Sequence, residues 1–283
     1  MLLRQVAMVS ESKKVPFSKL GRVSAALQKQ AIRDLGPVWD INSTVDAFAK
    51  LEDVPIGYWP IIIRDDIKTP GAAGVHEDNS GQPFALVHAD DGWSLTASHE
   101  LVEMLVDPFG SRLTPGQSPK PGQGRAEFLV EPCDPSEAVE FAYSVNGVSV
   151  SDFYTPLYFS TVASPGERYS HTRAIKTPRQ VLRGGYLSWH DVVSDHWWQQ
   201  TWFDGTKPKF RDLGKFTANG GKSFRRQIYD VTGQAFAVRR PKPAQLRMQS
   251  ALSEAADPST SSKASAWRAQ ISRLVKAPKA QPA

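Results

Sequence analysis

His99-Glu100-Leu101-Val102-Glu103, followed by Asp107, is the stretch whose residue types and spacing best suit chemistry. On an α-helix, residues four apart stand above one another. His99, Glu103 and Asp107 then form one polar stripe of an imidazole and two carboxylates, and Leu101, Val102, Leu105 and Val106 fall on flanks fit for burial. The stripe carries two penalties. Asp107 lies at the helix C-terminus, where the macrodipole disfavours a carboxylate by up to about 1 kcal/mol, and it repels Glu103 one turn away. A bound cation removes both. Glu100 projects about 100° from His99. In the H-E-x-x-H pattern that offset lets the glutamate act as general base on a metal-activated water while the histidine holds the metal. Here Glu103 replaces the second histidine, and carboxylate oxygens also ligate zinc. H-E-x-x-E is less specific than its parent, and a solvated helix face yields the same letters, so the context decides.

The helix that would position these groups runs from Ser94 to Asp107, with Ser94 or Thr96 as cap and Pro108 and Gly110 as stops. Upstream, the spacing of Leu20, Val23, Leu27 and Ile32 predicts a helix over 17–35, ended by Gly36-Pro37. Tyr58 to Arg64 is a β-branched strand suited to burial on both faces. Ala72–His76 and Pro83–His88 flank the turn Asp78-Asn79-Ser80-Gly81 and are expected to pair. A strand or an irregular crossing is expected over 38–48, and strands over 126–130 and 141–150, the latter folded at Asn146-Gly147. Residues 111–125, rich in Pro, Gly, Ser and Gln, read as a loop, and residues 1–16 as a flexible arm.

Composition bounds the class. Hydrophobic residues make up 40% and charged residues 22%, as in ordinary globular proteins. Cys133 is the only cysteine, which excludes an intrachain disulfide and a cysteine-cluster metal site. No apolar run approaches the roughly 20 residues that span a bilayer, and Met1 to Lys14 lacks a signal-like stretch. The expectation is a soluble, unprocessed protein with no membrane partner, cytoplasmic or, if phage-encoded, virion-associated. From Arg239 to Ala283, nine Lys/Arg face two Asp/Glu, giving +7; the whole chain carries +5, so residues 1–238 carry −2. The basic character belongs to the end, where Pro, Ala, Ser, Lys and Gln predict a disordered tail over 239–283 with one short basic helix near 262–276. Charge alone makes nucleic acid a candidate partner of the tail, against a plain tethering role, and gives the body no such support.

Several pieces together carry a resemblance: a helix ending in GPVW, the strand PIIIRDD, GVHEDNSGQPFALV, the helix SHELVEMLVDP, LVEPCDP and NGVSVSDFYTPLYF. Over roughly 18–235 the chain resembles the zincin metallopeptidase superfamily, more closely a metzincin-like group of bacterial and phage proteins. The resemblance implies an α+β fold: a mixed twisted sheet with an N-terminal helix and a metal-site helix in a domain over 17–238, its C-terminal part, about 151–238, an irregular subdomain. It implies His99 as metal ligand, Glu100 as general base and Glu103 in the second ligand's place. It also implies that PFALVHAD is the edge strand that aligns a peptide substrate. The metzincin third ligand falls about ten residues after the first histidine, at Phe109, which cannot ligate. Asp107 is the local alternative. Glu131, in Glu131-Pro132-Cys133-Asp134, would match the distant glutamate of gluzincins, and Asp152 is a weaker option. Zn2+ is the expected cofactor; one imidazole with two carboxylates also suits manganese, magnesium or calcium.

The function implied is a metal-dependent, peptidase-like hydrolase acting on a peptide or protein. The alternatives are a non-catalytic phage structural or accessory protein on a zincin-like scaffold, and a nucleic-acid-associated protein acting through its tail. Other residues fit blander roles. His76 and His88 read as strand-end histidines, though either would serve an oxyanion if it reached the site. Cys133 reads as a buried thiol. Trp189, Trp197, Trp198 and Trp202 fall within 14 residues and suit core packing as well as ligand stacking. Arg225-Arg226 reads as part of a helix starting near Ser223.

Overall fold

A computed structural model describes residues 3–69, 71–217 and 221–236 and, beyond them, Ala269 alone. Apart from Ala269, the proposed basic tail and its short helix lie outside these residues. The fold is α+β, with two five-stranded sheets and a small hairpin.

The first sheet is mixed. β1 (Leu3–Ser10) pairs in parallel with β2 (Asn42–Phe48) and with β3 (Trp59–Arg64). β3 pairs in parallel with β5 (Gln82–His88), and β4 (Gly74–Asn79) closes the edge antiparallel to β5, giving the order β2-β1-β3-β5-β4. Residues 3–10 are therefore no arm: Val6, Ala7, Met8 and Val9 are fully buried in a strand flanked on both sides. Such a consecutive apolar run is what a central parallel strand needs, because both faces are covered. PFALVH forms an interior strand, and the edge position falls to β4.

Alternate residues of the strands, Val6 and Met8, Ile61 and Ile63, Ala85 and Val87, share one core with Leu20, Val23 and Leu27 of α1 (Phe17–Lys29) and Ala97, Leu101 and Leu105 of a helix over Trp93–Val106. Both helices thus cover the same sheet face. The predicted helix over 17–35 becomes α1, then a π-helical stretch over Gln30–Leu35, then α2 (Gly36–Trp39). In that stretch Gln30 Nε2 donates to the Ser151 carbonyl and Ser98 Oγ donates to Gln30 Oε1, tying it to α3 (Trp93–Val106). α3 starts at Gly92, not at a Ser or Thr cap; the Gly92 N–H donates to Asp90 Oδ1 at 2.8 Å.

The second sheet corrects the expected irregular subdomain. β6 (Leu113–Gln117), β7 (Arg125–Leu129), β10 (Tyr186–Asp191), β11 (His196–Thr201) and β12 (Lys209–Gly214) form an antiparallel sheet, β12-β11-β10-β7-β6. β6 lies inside the predicted loop. Pro115 is tolerated because β6 is an edge, and Gly116 because a Cβ there would lie 2.9 Å from the Phe128 ring. β8 (Tyr143–Val145) and β9 (Val148–Val150) form the hairpin; Asn146 and Gly147 have φ of 52° and 72°, as a type I′ turn requires. α4 (Phe224–Phe236) completes the described chain and includes Arg225-Arg226. Among the described residues no helix is long and apolar enough to cross a membrane.

Candidate metal centre

α3 is buried along nearly its whole length, and its polar residues meet a cleft of about 540 Å³ between the two sheets' elements. His99 reaches this cleft with 14% of its side chain exposed, and Glu103 lies beneath it with none. His99 Nε2 stands 3.2 Å from Glu103 Oε2 and 3.4 Å from Asp134 Oδ1. Glu103, Glu131 and Asp134 offer oxygens within 4.8 Å of one another. The stripe and the segment 131–134, remote in sequence, therefore meet.

Each group is held by local structure. Glu131 and Asp134 follow β7, where a 3-10 turn over Asp134–Ser136 packs onto Gly185. The Cys133 N–H donates to Glu103 Oε1 at 3.3 Å, pinning this turn to α3. α4 is anchored beside the end of α3: the Arg225 N–H donates to the Gly110 carbonyl at 2.9 Å, and a Cβ on Gly110 would lie 3.0 Å from Arg225 Cβ. That approach sends the Arg225 guanidinium into the acid cluster. Its Nη1 lies 2.9 Å from Glu103 Oε2 and donates to Glu131 Oε2, with Asp134 Oδ2 4.0 Å away. Its Nη2 lies 3.8 Å from Glu100 Oε2. Opposite, His76 on β4 approaches Glu100 and Glu103 at 3.5 and 3.7 Å.

The sequence-derived candidates thus divide. His99, Glu100, Glu103 and Glu131 come together. Asp107 is buried but its Oδ2 accepts the Arg112 N–H, and it joins no ligand-spaced group among the described residues. Asp152 Oδ1 accepts the Thr172 N–H, and it too joins none. His76, named from the sequence only as a strand-end histidine able to serve an oxyanion, joins the cluster, and Asp134, Glu137 and Arg225 complete it without having been assigned a role there. Asp134 and Glu137 had a signal in their closeness to Glu131; Arg225, ninety residues further on, had none. Cys133 is buried, and burial followed by the charge of Glu103 pushes its thiol well above the ordinary range, which suits an inert side chain. Trp189 and Trp197 are core residues.

Four carboxylates face one guanidinium here, and the electrostatics record the imbalance. Burial, reinforced by Glu103, pushes the Asp134 carboxyl up to about 6; burial, reinforced by Asp134, pushes Glu137 up to about 8. Burial likewise carries Glu131 well above the carboxylate range despite Arg225. Glu103 is the exception. Burial pushes it upward, but the charges of His99 and Arg225 outweigh that and hold it well below its ordinary value. His99 responds in kind: burial pulls it down, and Glu103 with Asp134 outweighs burial and raises it well above the usual imidazole value.

The residues fit a divalent cation. Glu100 Oε2, Glu103 Oε2, Glu131 Oε1 and Asp134 Oδ1 are buried and lack a well-formed hydrogen bond, a costly state unless something else compensates them. Metal–ligand lengths of about 2.0–2.1 Å at tetrahedral angles place ligand atoms roughly 3.3–3.4 Å apart, matching the His99–Glu103 and His99–Asp134 separations. A cation there would favour the ionised carboxylates of Asp134 and Glu131, against the burial that raises both. Compared with family models, curated proteins and solved structures, the chain matches none.

Proposed function

We propose that this protein is a metal-dependent, peptidase-like hydrolase on a zincin-like scaffold. His99, Glu103 and Asp134 would hold the divalent cation, most naturally zinc, and Glu100 would act as general base. The observation that carries the reading is that His99 Nε2, at an open cleft, lies at ligand spacing from both Glu103 Oε2 and Asp134 Oδ1. An open mixed sheet, with one antiparallel edge strand beside the helix that bears His99-Glu100, supports it further.

When bound, the cation supplies Lewis acidity, which polarises a carbonyl and acidifies a water. The protein's own residues do the rest. Glu100 borders the same cleft with Oε2 unpartnered, an acceptor for the proton that a nucleophilic water must lose. Arg225 neutralises Glu131 and part of Glu103's charge. Leu95, Leu187, Phe203 and Ile228 line the remaining wall and favour an apolar substrate group while excluding water. β4 holds the edge place from which an extended peptide would be aligned.

Arg225 itself favours a second reading, a non-catalytic protein whose acid cluster is neutralised by guanidinium instead of metal. Elemental analysis of the purified chain, with hydrolysis of a fluorogenic peptide set, separates the two. The hydrolase reading expects stoichiometric metal in wild type, the metal at His99 retained and hydrolysis lost in Glu100→Gln, and a lower melting temperature with chelator. A chain without metal, inactive on every peptide and indifferent to chelator, would leave only the second reading.

A further inference from the structure

His76 has no part in the chemistry above, yet its surroundings are unusual. Its side chain is wholly buried on β4. Its Nε2 lies 3.1 Å from the Asp107 carbonyl oxygen. A carbonyl only accepts, so Nε2 carries the hydrogen. In the neutral ring Nδ1 is then a bare lone pair. It faces Glu100 Oε2 at 3.5 Å and Glu103 Oε2 at 3.7 Å; Nδ1 and Glu100 Oε2 have no hydrogen-bond partner, and Glu103 Oε2 has Arg225 Nη1 2.9 Å away. Three lone pairs confronting one another in a dry site repel. A proton on Nδ1 would relieve this, but charge-assisted N–H···O bonds close to about 2.7–2.9 Å, and these contacts remain well beyond that. Three ligands about 2.0–2.1 Å from one ion stand roughly 3.3–3.6 Å apart, between tetrahedral and trigonal angles. An imidazole that donates one N–H to a backbone carbonyl and offers its other nitrogen is also the arrangement that orients a metal-binding histidine.

We propose that His76, Glu100 and Glu103 form a second divalent-cation site, adjoining the one at His99, Glu103 and Asp134 and sharing Glu103 with it. Glu103 suits the shared position: Oε1 is taken by the Cys133 N–H, and Oε2, with Arg225 Nη1 at 2.9 Å, stands between His99 Nε2 and His76 Nδ1. The surrounding charge allows two ions, because Glu100, Glu103, Glu131 and Asp134 face a single guanidinium. The donor set of one imidazole and two carboxylates suits zinc or manganese. The proposal rests on the hydrolase reading only for the first ion. It adds regulation: the second ion engages Glu100, so hydrolysis rises with the first equivalent of cation and falls with the second.

Native mass spectrometry of the metal-stripped full chain titrated with Zn2+ tests this. Wild type is expected to bind two ions and His76→Asn one, with the asparagine amide able to donate to the Asp107 carbonyl and a thermal melt of the stripped variant confirming that it folds. Glu100→Gln, as the companion variant, should lose the weaker ion. A wild type that saturates at one ion, abolished by His99→Ala, overturns the second site and leaves the first. Two ions retained in both His76→Asn and Glu100→Gln also overturn it. A wild type that binds none overturns this site together with the hydrolase reading.

Discussion

The two sides of the acid cluster are built differently. Glu100, Glu103 and His99 project from α3, a helix whose own hydrogen bonds and buried flanks fix them. Glu131 and Asp134 project from the turn after β7, where position depends on neighbours: the Cys133 N–H to Glu103, the close approach of Gly185 beneath, and the Arg225 guanidinium. The helical side is organised by periodicity and apolar burial, the turn side by charge and backbone contact. Damage to the two sides should therefore differ in size and in kind.

The largest effect is expected at Arg225. Removing one partner from a buried ionic network leaves uncompensated charge and typically costs about 3–5 kcal/mol. Arg225→Ala should lower stability by that order in chemical denaturation, and Zn2+ should restore part of it, because a cation replaces the lost charge. A loss below about 1 kcal/mol would mean that the turn side does not depend on the guanidinium.

A buried ionic site outside the cluster gives the control. His171 stacks on Phe153 at 5.2 Å between ring centroids and lies against the tilted Tyr143 ring at 4.5 Å, with Asp34 Oδ2 4.0 Å away. Burial pulls its pKa down to about 4, against the attraction of Asp34. Above pH ~6.5 the imidazole is neutral folded or unfolded and shifts nothing. As pH falls towards about 4 the unfolded chain takes up a proton that the folded chain refuses, so stability is lost across that window, by about 3 kcal/mol at most. His171→Phe keeps the stack and removes the titration. The difference between the wild-type and variant stability curves should slope between these pH values and flatten below them. A difference independent of pH would show that the folded protein accepts the proton.

These contrasts track how much could be read from the sequence. Helix α3 was legible because four-residue spacing puts His99 and Glu103 on one face whatever they pack against. The β4–β5 hairpin and the Asn146-Gly147 turn were legible because turn chemistry is local. β1 was missed as a short apolar run at the chain's start, although four consecutive buried residues, Val6 to Val9, are the mark of a central strand. β6 was missed because Pro115 and Gly116 signal a loop unless the strand is known to be an edge. Arg225 could not be found at all: its role is set by the approach of α4 to Gly110, a contact spanning more than a hundred residues. Asp107 shows the converse. Its spacing fitted the stripe, but the helix ends at Val106, and its carboxylate serves the Arg112 N–H instead.

Two glycines carry the comparison to its smallest effects. At Gly185 a Cβ would meet the Pro135 and Asp134 carbonyl oxygens at 2.5 and 2.6 Å, so backbone must move. Gly185→Ala should cost about 2–3 kcal/mol, as overpacking does, and weaken cation binding by displacing Asp134. At Gly74 a Cβ would meet Thr96 Cγ2 at 2.6 Å, Glu100 Oε1 at 2.7 Å and Glu100 Cγ at 2.9 Å. These are side-chain atoms, which can rotate away, so Gly74→Ala should cost only about 1 kcal/mol. Its larger consequence is chemical. Glu100 is pushed from its place while His99, Glu103 and Asp134 stay, so the first cation should bind as in wild type and peptide hydrolysis should fall at least tenfold, a barrier increase of about 1.4 kcal/mol. If Gly74→Ala leaves hydrolysis intact, Glu100 tolerates displacement and is not the base. If it abolishes binding of the first cation as well, the helical side is less rigid than its burial implies, and the distinction between the two sides fails.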